Sequence, residues 1–437
     1  MTTSVENLLQ FIQASPTAFQ ATQNLRARCQ EAGYTLLEED QSWDLELGGK
    51  YVVCRNQSSV IAFHLSPDLL EHYHYQLVAS HSDSPNFKVK ENGELLVRDR
   101  YLKLNTEGYG GMILHTWLDR PLSLAGRVLV RKTDHIEERL LHMDEDLLLI
   151  PNVAIHLLRD TNTGYTFNKQ IDLLPLFAQQ GEKGALKAKV ADELEVSPEE
   201  ILAMDLSLYN RTPGSIWGAS QEFYSSPQID NLASAFTTLE GFLAADHASG
   251  VAMYACFDNE EVGSGTKQGA LSTFLRDVIE RIHAQLPLQA DDLYQALARS
   301  YMISADNAHA VHPNYPELTD DNNCSYLNEG VVVKAHAGQQ YTTDAVSLAI
   351  LKELAQEVDV PLQYFANRSD KRGGSTLGNL ALRQVSLNSI DIGLPQLAMH
   401  SSYETAGVRD VDRMIHLIQN FFSHEVTKKH DGRYLIK

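Results

Sequence analysis

Apolar positions recur with a helical period over residues 4–33. Leu8, Leu9, Phe11 and Ile12 mark one helix and Phe19, Leu25 and Cys29 a second, parted at Ser15-Pro16 and ended by Gly33. A β-rich stretch follows to about residue 87, and its apolar run Leu77-Val78-Ala79 leads into His81. From about 88 to 225 the pattern becomes glycine-punctuated and alternating, as in Gly126-Arg127-Val128-Leu129-Val130-Arg131. Helical pieces are predicted within it, such as Glu199 to Met204. There Ser197 can cap, Pro198 suits the first helical position, and Glu199 and Glu200 complement the dipole.

From 226 onward, short apolar runs alternate with helical patterns. Strands are predicted at 251–257, 301–305 and 331–335 and near 362 and 397; helices are predicted at 231–244, up to about 298, at 344–357 and at about 410–424, the last of them closing the domain. This alternation predicts an α/β fold, a sheet with helices on both faces built from residues 1–87 and 226–437. Residues 88–225 read as an inserted β-rich domain.

The length of 437 residues accommodates either two domains or one α/β domain with such an insertion, and 43% hydrophobic with 21% charged residues is an ordinary globular balance. Charge narrows the function. Fifty-seven acidic residues against 36 Lys and Arg give a net charge of −21, which disfavours nucleic acid and anionic lipid as partners. The same field means that a site for acidic substrates needs a local cation. The run Leu147 to Ile155 is short and carries Pro151 and Asn152, and Met1 to Gln10 lacks a basic region, so neither a membrane span nor a secretion signal is expected. Cys29, Cys54, Cys256 and Cys324 are scattered and form no CxxC pair. A cytoplasmic location is the expectation.

In open α/β sheets, sites form beyond the carboxyl ends of strands. Four apolar runs here end in metal-ligand chemistry: His81-Ser82-Asp83 after Ser80, Asp258-Asn259-Glu260-Glu261 after Phe257, Asp306 after Ala305, and His400 after Met399. Asp230 opens the helix that follows it. Carboxylates converging on one face repel unless cations neutralise them. Two histidines with three carboxylates suit zinc, manganese or cobalt better than magnesium or iron–sulfur chemistry. Two ions are the natural count, because one carboxylate can bridge ions about 3.5–4 Å apart. The adjacent Glu260 and Glu261 can divide the roles of general base and ligand. Neither HExxH, GxSxG nor a P-loop occurs: His424-Glu425 is followed by Lys428 at the ligand position, and Lys371 precedes the glycines Gly373-Gly374.

Taken together the motifs resemble the aspartyl aminopeptidases, dinuclear zinc metallopeptidases, along nearly the whole chain. They are Ser15-Pro16-Thr17, His81-Ser82-Asp83-Ser84-Pro85, Ser226-Pro227-Gln228-Ile229-Asp230-Asn231, Asp258 to Ser264, Asp306-Asn307-Ala308-His309-Ala310 with His312-Pro313-Asn314, and Met399-His400-Ser401. The resemblance implies a three-layer αβα metallopeptidase domain with the insertion serving dimerisation, and dimers packed into a dodecamer. It implies one metal held by His81, Asp230 and Asp306 and another by Asp230, Glu261 and His400, with Asp230 bridging. Glu260 would be the general base, Asp83 would orient His81, and His312 would support the oxyanion of a neighbouring subunit's site. Lys334 would pair with the side-chain carboxylate of an N-terminal Asp or Glu, aided by the basic run Arg368, Lys371 and Arg372. His156 resembles a residue that holds the assembly. The stretch Ser401-Ser402-Tyr403-Glu404-Thr405 departs from the family pattern.

Two rival readings follow from the same residues. One keeps the dinuclear site but makes the protein a neutral-residue aminopeptidase or an N-acyl amino-acid deacylase, with Lys334 as the discriminator. The other is a metal-stabilised scaffold without activity, against which Glu260 argues, since a scaffold has no use for an unliganded carboxylate beside a ligand.

Overall fold

The computed structural model describes residues 4–179, 182–247, 249–371 and 373–437. Two helices, α1 (Ser4–Gln13) and α2 (Ala18–Glu31), lead into strands β1 (Thr35–Leu37), β2 (Lys50–Arg55), β3 (Ser59–Leu65) and β4 (Tyr75–His81). The next segment carries β5 (Asn86–Val97), β6 (Tyr101–Tyr109), β7 (Leu122–Arg131), β8 (Ile136–His142), β9 (Leu176–Gln179), α3 (Ala185–Glu193) and β10 (Ile201–Asn210). Short strands β11 (Ser215–Trp217) and β12 (Phe223–Ser226) follow, then α4 (Ile229–Ala244), β13 (Val251–Phe257), α5 (Phe274–Ala284) and α6 (Ala290–Arg299). The remainder is β14 (Tyr301–Ala305), β15 (Ala308–His309), β16 (Val331–Lys334), α7 (Ala345–Glu357), β17 (Leu362–Phe365), α8 (Leu377–Ala381), β18 (Asn388–Gly393), β19 (Pro395–Leu397), β20 (Glu404–Gly407) and α9 (Val408–Ser423). A hairpin, β21 (Val426–His430) and β22 (Arg433–Ile436), ends the chain.

A nine-stranded sheet in the order β1-β2-β3-β13-β4-β14-β18-β16-β17 forms the middle layer. Successive side chains of a strand point to opposite faces, and here both faces are covered. Val78 joins a core with Leu25 of α2, Phe236 of α4, Leu351 of α7 and Phe421 of α9. Its neighbours Leu77 and Ala79 join Phe274 and Val278 of α5 and Leu377 of α8 on the other side. Strands β13, β4, β14 and β18 run parallel to one another, so their carboxyl ends open on one edge. The fold is the expected α/β sandwich of helices around a sheet.

Strands β8-β7-β10-β5-β6-β9 make a separate six-stranded sheet with its own core around Leu124, Val128, Leu206, Leu208 and Trp117. Gln20 of α2 ties it to the larger domain, its side-chain amide donating to the carbonyls of Gly126 and Leu141. The expected boundary at 225 falls inside β12, which pairs with β20 in a third, five-stranded sheet.

Two local expectations are corrected. Residues 199–204 are not a helix: Ser197 and Glu200 do form a capping box, but around a single 3₁₀ turn, and β10 begins at Ile201. Pairing of β10 with β7 over nearly its full length outweighs the helix-start signal. The chain also does not close on its last helix, because the hairpin β21-β22 follows, turning at Asp431-Gly432 with Gly432 at φ +77°.

Away from the carboxyl edge of the sheet, the buried imidazoles of His64 and His247 pack with centroids 5.0 Å apart, beside Phe242. Burial and Lys50 depress both, and for His247 burial with the added effect of His64 brings the imidazole to about 3 from an ordinary 6.5. A group whose folded pKa is depressed binds fewer protons than the unfolded chain, so its stabilising contribution is complete above about 6.5 and shrinks as pH falls toward 3. The urea midpoint is expected to drop between pH 7.5 and 5, and His247→Phe to reduce that drop.

Candidate active site

Three neighbouring parallel strands deliver the chemistry. His81 ends β4, the turn Asp258 to Glu261 follows β13, and Asp306 follows β14. Asp230 comes from the start of α4, where Asp230 and Asn231 lack helical dihedrals and are joined by a cis peptide. His400 lies in the loop between β19 and β20 at φ +67°. The five predicted ligands and Glu260 converge. His81 Nε2 lies 3.5 Å from Asp230 Oδ1, 3.6 Å from Asp306 Oδ1 and 4.0 Å from Glu260 Oε2. His400 Nε2 lies 3.4 Å from Asp230 Oδ2 and 3.4 Å from Glu261 Oε1. Within each of the sets His81–Asp230–Asp306 and Asp230–Glu261–His400, the donor atoms fall within 4.8 Å of one another, and so do those of His81–Glu260–Glu261. Asp230 belongs to both of the first two sets, one carboxylate oxygen facing each histidine.

Crowding shapes the electrostatics. Burial pushes Glu260 up to about 8, with Asp306, Asp83 and Asp230 adding repulsion against the relief from His81. Burial and Asp230 likewise raise Glu261 well above the carboxylate range. For His400, burial opposes protonation, but Asp230 and Glu261 outweigh it and raise the imidazole to about 10. Protons held this tightly between carboxylates and imidazoles mark positions that a divalent cation can take over. Buried Asp230 Oδ1 accepts no hydrogen bond, an orphaned anionic oxygen that an ion would satisfy. The donor set of imidazoles and carboxylates fits zinc.

A second layer holds these groups. His81 Nδ1 meets the Asp83 carbonyl at 3.1 Å and Asp83 Oδ1 at 3.4 Å. The Asp83 carboxylate accepts the main-chain N–H groups of Glu260 and Glu261, each at 3.1 Å, and the Tyr109 hydroxyl at 2.6 Å. Glu404, buried on β20, accepts the main-chain N–H of Asp230 at 2.9 Å and of His400 at 2.7 Å. Tyr109 and Glu404 carried no sequence signal of this role, nor did Gly111, whose carbonyl meets His400 Nδ1 at 2.6 Å. Glu404 stands four residues after His400, within the stretch that departs from the family pattern.

A cavity of about 200 Å³ opens on the cluster, lined also by Lys334, Tyr341, Phe365 and Thr376. Lys334 is its sole Lys or Arg among the described residues, and it is buried. Its ammonium donates to the Asp306 carbonyl (2.6 Å), Asp306 Oδ2 (3.2 Å) and the Asn307 carbonyl (3.2 Å). His312 stands apart from this chain's cluster, exposed, with Nδ1 accepting from the Asn314 N–H and its ring beside Tyr315. It lines an adjoining cavity of about 270 Å³ with Arg368 and Lys371. Arg372 lies outside the described residues.

A His–carboxylate cluster at the carboxyl edge of a three-layer α/β sandwich defines a metal-dependent hydrolase. Comparison with known proteins makes this specific. The sequence profile described as "Aminopeptidase I zinc metalloprotease (M18)" matches residues 11–422. The "Probable M18 family aminopeptidase 2" of Clostridium novyi (strain NT) is 42% identical over 409 residues, covering 92% of this chain and 94% of that relative. Among solved structures, a chain from the cryo-EM structure of the Ape4 and Nbr1 complex superposes with a TM-score of 0.92 at 34% identity, covering 96% of this chain and 85% of that one. The S. cerevisiae mApe1 dodecamer gives 0.83 at 25% identity, covering 96% of each chain. The chain belongs to the M18 family of zinc metalloproteases and is an aminopeptidase of that family.

Proposed function

We propose that this aminopeptidase removes N-terminal aspartate or glutamate from peptides and works with two divalent ions, zinc by preference. His81, Asp230 and Asp306 would hold one and Asp230, Glu261 and His400 the other. Bound there, the ions supply Lewis-acid activation of water and of the scissile carbonyl. The chain's own groups do the rest. Glu260, beside His81 and not needed in either set of three, takes the proton of the attacking water and returns it to the leaving amine. The carboxylate-rich wall attracts the free α-ammonium, which restricts cleavage to the terminal residue. The observation that carries the acidic preference is Lys334, the sole Lys or Arg that lines this pocket among the described residues, and a buried one. One of its three bonds goes to the Asp306 carboxylate, and a substrate side-chain carboxylate replaces that acceptor.

Assembly belongs to the same proposal. The segment 151–158 of the insertion exposes Val153, Ile155 and Leu157 at 47, 46 and 82%, an apolar run suited to a subunit contact, with His156 inside it. A neighbour in structure is a dodecamer, and we assign this chain a homo-oligomer of that kind, built from dimers through the insertion. To His312, exposed and lining the adjoining cavity, we assign oxyanion support in the site of a neighbouring subunit. No helix among the described residues is long and apolar enough to cross a membrane, and a cytoplasmic location is proposed on composition.

The test is hydrolysis of aspartyl, glutamyl, leucyl and N-acetyl-aspartyl p-nitroanilides, before and after chelation and with zinc, manganese or cobalt restored. Chelator-sensitive activity confined to the free-amino acidic pair is expected. Turnover of the leucyl substrate would assign a neutral-residue enzyme, and turnover of the acetylated one a deacylase.

A further inference from the structure

Every group given a chemical role within this chain's site comes from the α/β domain, yet one short segment of the inserted sheet touches the site repeatedly. That segment runs from Tyr109, at the end of β6, to Thr116. The Tyr109 hydroxyl donates to Asp83 Oδ2 at 2.6 Å. Gly110, at φ +75°, packs so closely that a Cβ there would stand 3.1 Å from Glu261 Cβ. The Gly111 carbonyl meets His400 Nδ1 at 2.6 Å, and the Ile113 N–H donates to the His400 carbonyl at 2.9 Å. Thr116 Oγ1 accepts the Ser402 N–H at 2.9 Å, and its carbonyl accepts the Ser402 hydroxyl at 2.5 Å.

These contacts close on the site from two sides. A carbonyl can only accept, so Nδ1 of His400 keeps its proton on that bond, and Nε2, the nitrogen that faces Asp230 and Glu261, is the one that would release its proton and present a lone pair to an ion. On the other side, Tyr109 anchors the carboxylate that receives both N–H groups of the Glu260–Glu261 turn. We infer that the Tyr109–Thr116 segment is a positioning element of the metal site, so that ion retention by the α/β domain depends on the insertion. The inference rests on the reading that His81, Asp230, Glu261, Asp306 and His400 hold metal.

Full-length protein is stripped with chelator and titrated with Co²⁺ by calorimetry, alongside Tyr109→Phe, Thr116→Val and Thr116→Ser. The first two are near-isosteric and remove one hydroxyl each, whereas Thr116→Ser keeps it. Affinity for at least one ion is expected to weaken about 10–100-fold in Tyr109→Phe and Thr116→Val, with Thr116→Ser at the wild-type value and the metal-free thermal melts unchanged. Wild-type affinity in both hydroxyl-deleted variants overturns the inference, as does weak binding that tracks a lowered metal-free melt. Failure of the wild type to bind Co²⁺, Zn²⁺ or Mn²⁺ overturns the metal reading itself and the inference with it.

Discussion

Glu260→Gln is expected to cut hydrolysis of aspartyl p-nitroanilide by about 10²–10⁴-fold, the usual contribution of a positioned general base, while the protein keeps its bound metal. The amide matches the carboxylate in shape but cannot take a proton from water. Glu260 is fit for the task because burial among Asp306, Asp83 and Asp230 makes its carboxylate a stronger base than an exposed one, and because Asp230, Glu261 and His400 form a donor set without it. Metal content by mass spectrometry separates the alternatives. Glu260 also falls within 4.8 Å of His81 and Glu261 donor atoms, so loss of an ion together with activity would make it a ligand. Retained metal with full activity would remove it from the mechanism.

The convergence of the candidate ligands was legible because strand endings are. Leu77 to Ala79, Val251 to Phe257 and Tyr301 to Ala305 are short apolar runs, buried along their length on both faces, and each is followed at once by ligand-type residues. The order β13-β4-β14 was not readable, but parallel strands buried on both faces put all three endings on one edge whatever their order. Less was legible where a role passes through the main chain. The Gly111 carbonyl serves His400 from 289 positions away, and any residue type could supply that oxygen. Glu404 reads as one more carboxylate on a short strand, and its function lies in receiving two main-chain N–H groups. At residues 199–204 a correct local signal, the Ser197 cap with Pro198 after it, was over-extended, because helix initiation carries no information about the β7 partner waiting for β10. The terminal hairpin was readable, since Asp431-Gly432 between alternating residues is a turn signal, but the amphipathic α9 before it drew the boundary early.

Lys334→Met is expected to lower the ratio of kcat/KM for aspartyl over leucyl substrates by about ten- to a hundredfold, the equivalent of the ~1.5–3 kcal/mol carried by a hydrogen bond to a charged group. The same substitution reaches a candidate metal ligand. Lys334 is buried, and its ammonium pairs with Asp306 Oδ2 at 3.2 Å. Removing one partner of a buried pair leaves the other charge uncompensated, at a cost of about 3–5 kcal/mol. The urea midpoint of the metal-free variant should therefore fall well below that of the metal-free wild type. With metal restored the gap should narrow, because Asp306 then has another cation to face. These two effects make Lys334 separable into its possible parts. Lost acidic preference with the midpoint shift shows one ammonium both bracing Asp306 and reading the substrate. A midpoint shift with the acidic preference intact would reduce Lys334 to a brace for Asp306, and selection of the N-terminal side chain would then fall to the cationic rim of the adjoining cavity, where Arg368 and Lys371 stand beside His312.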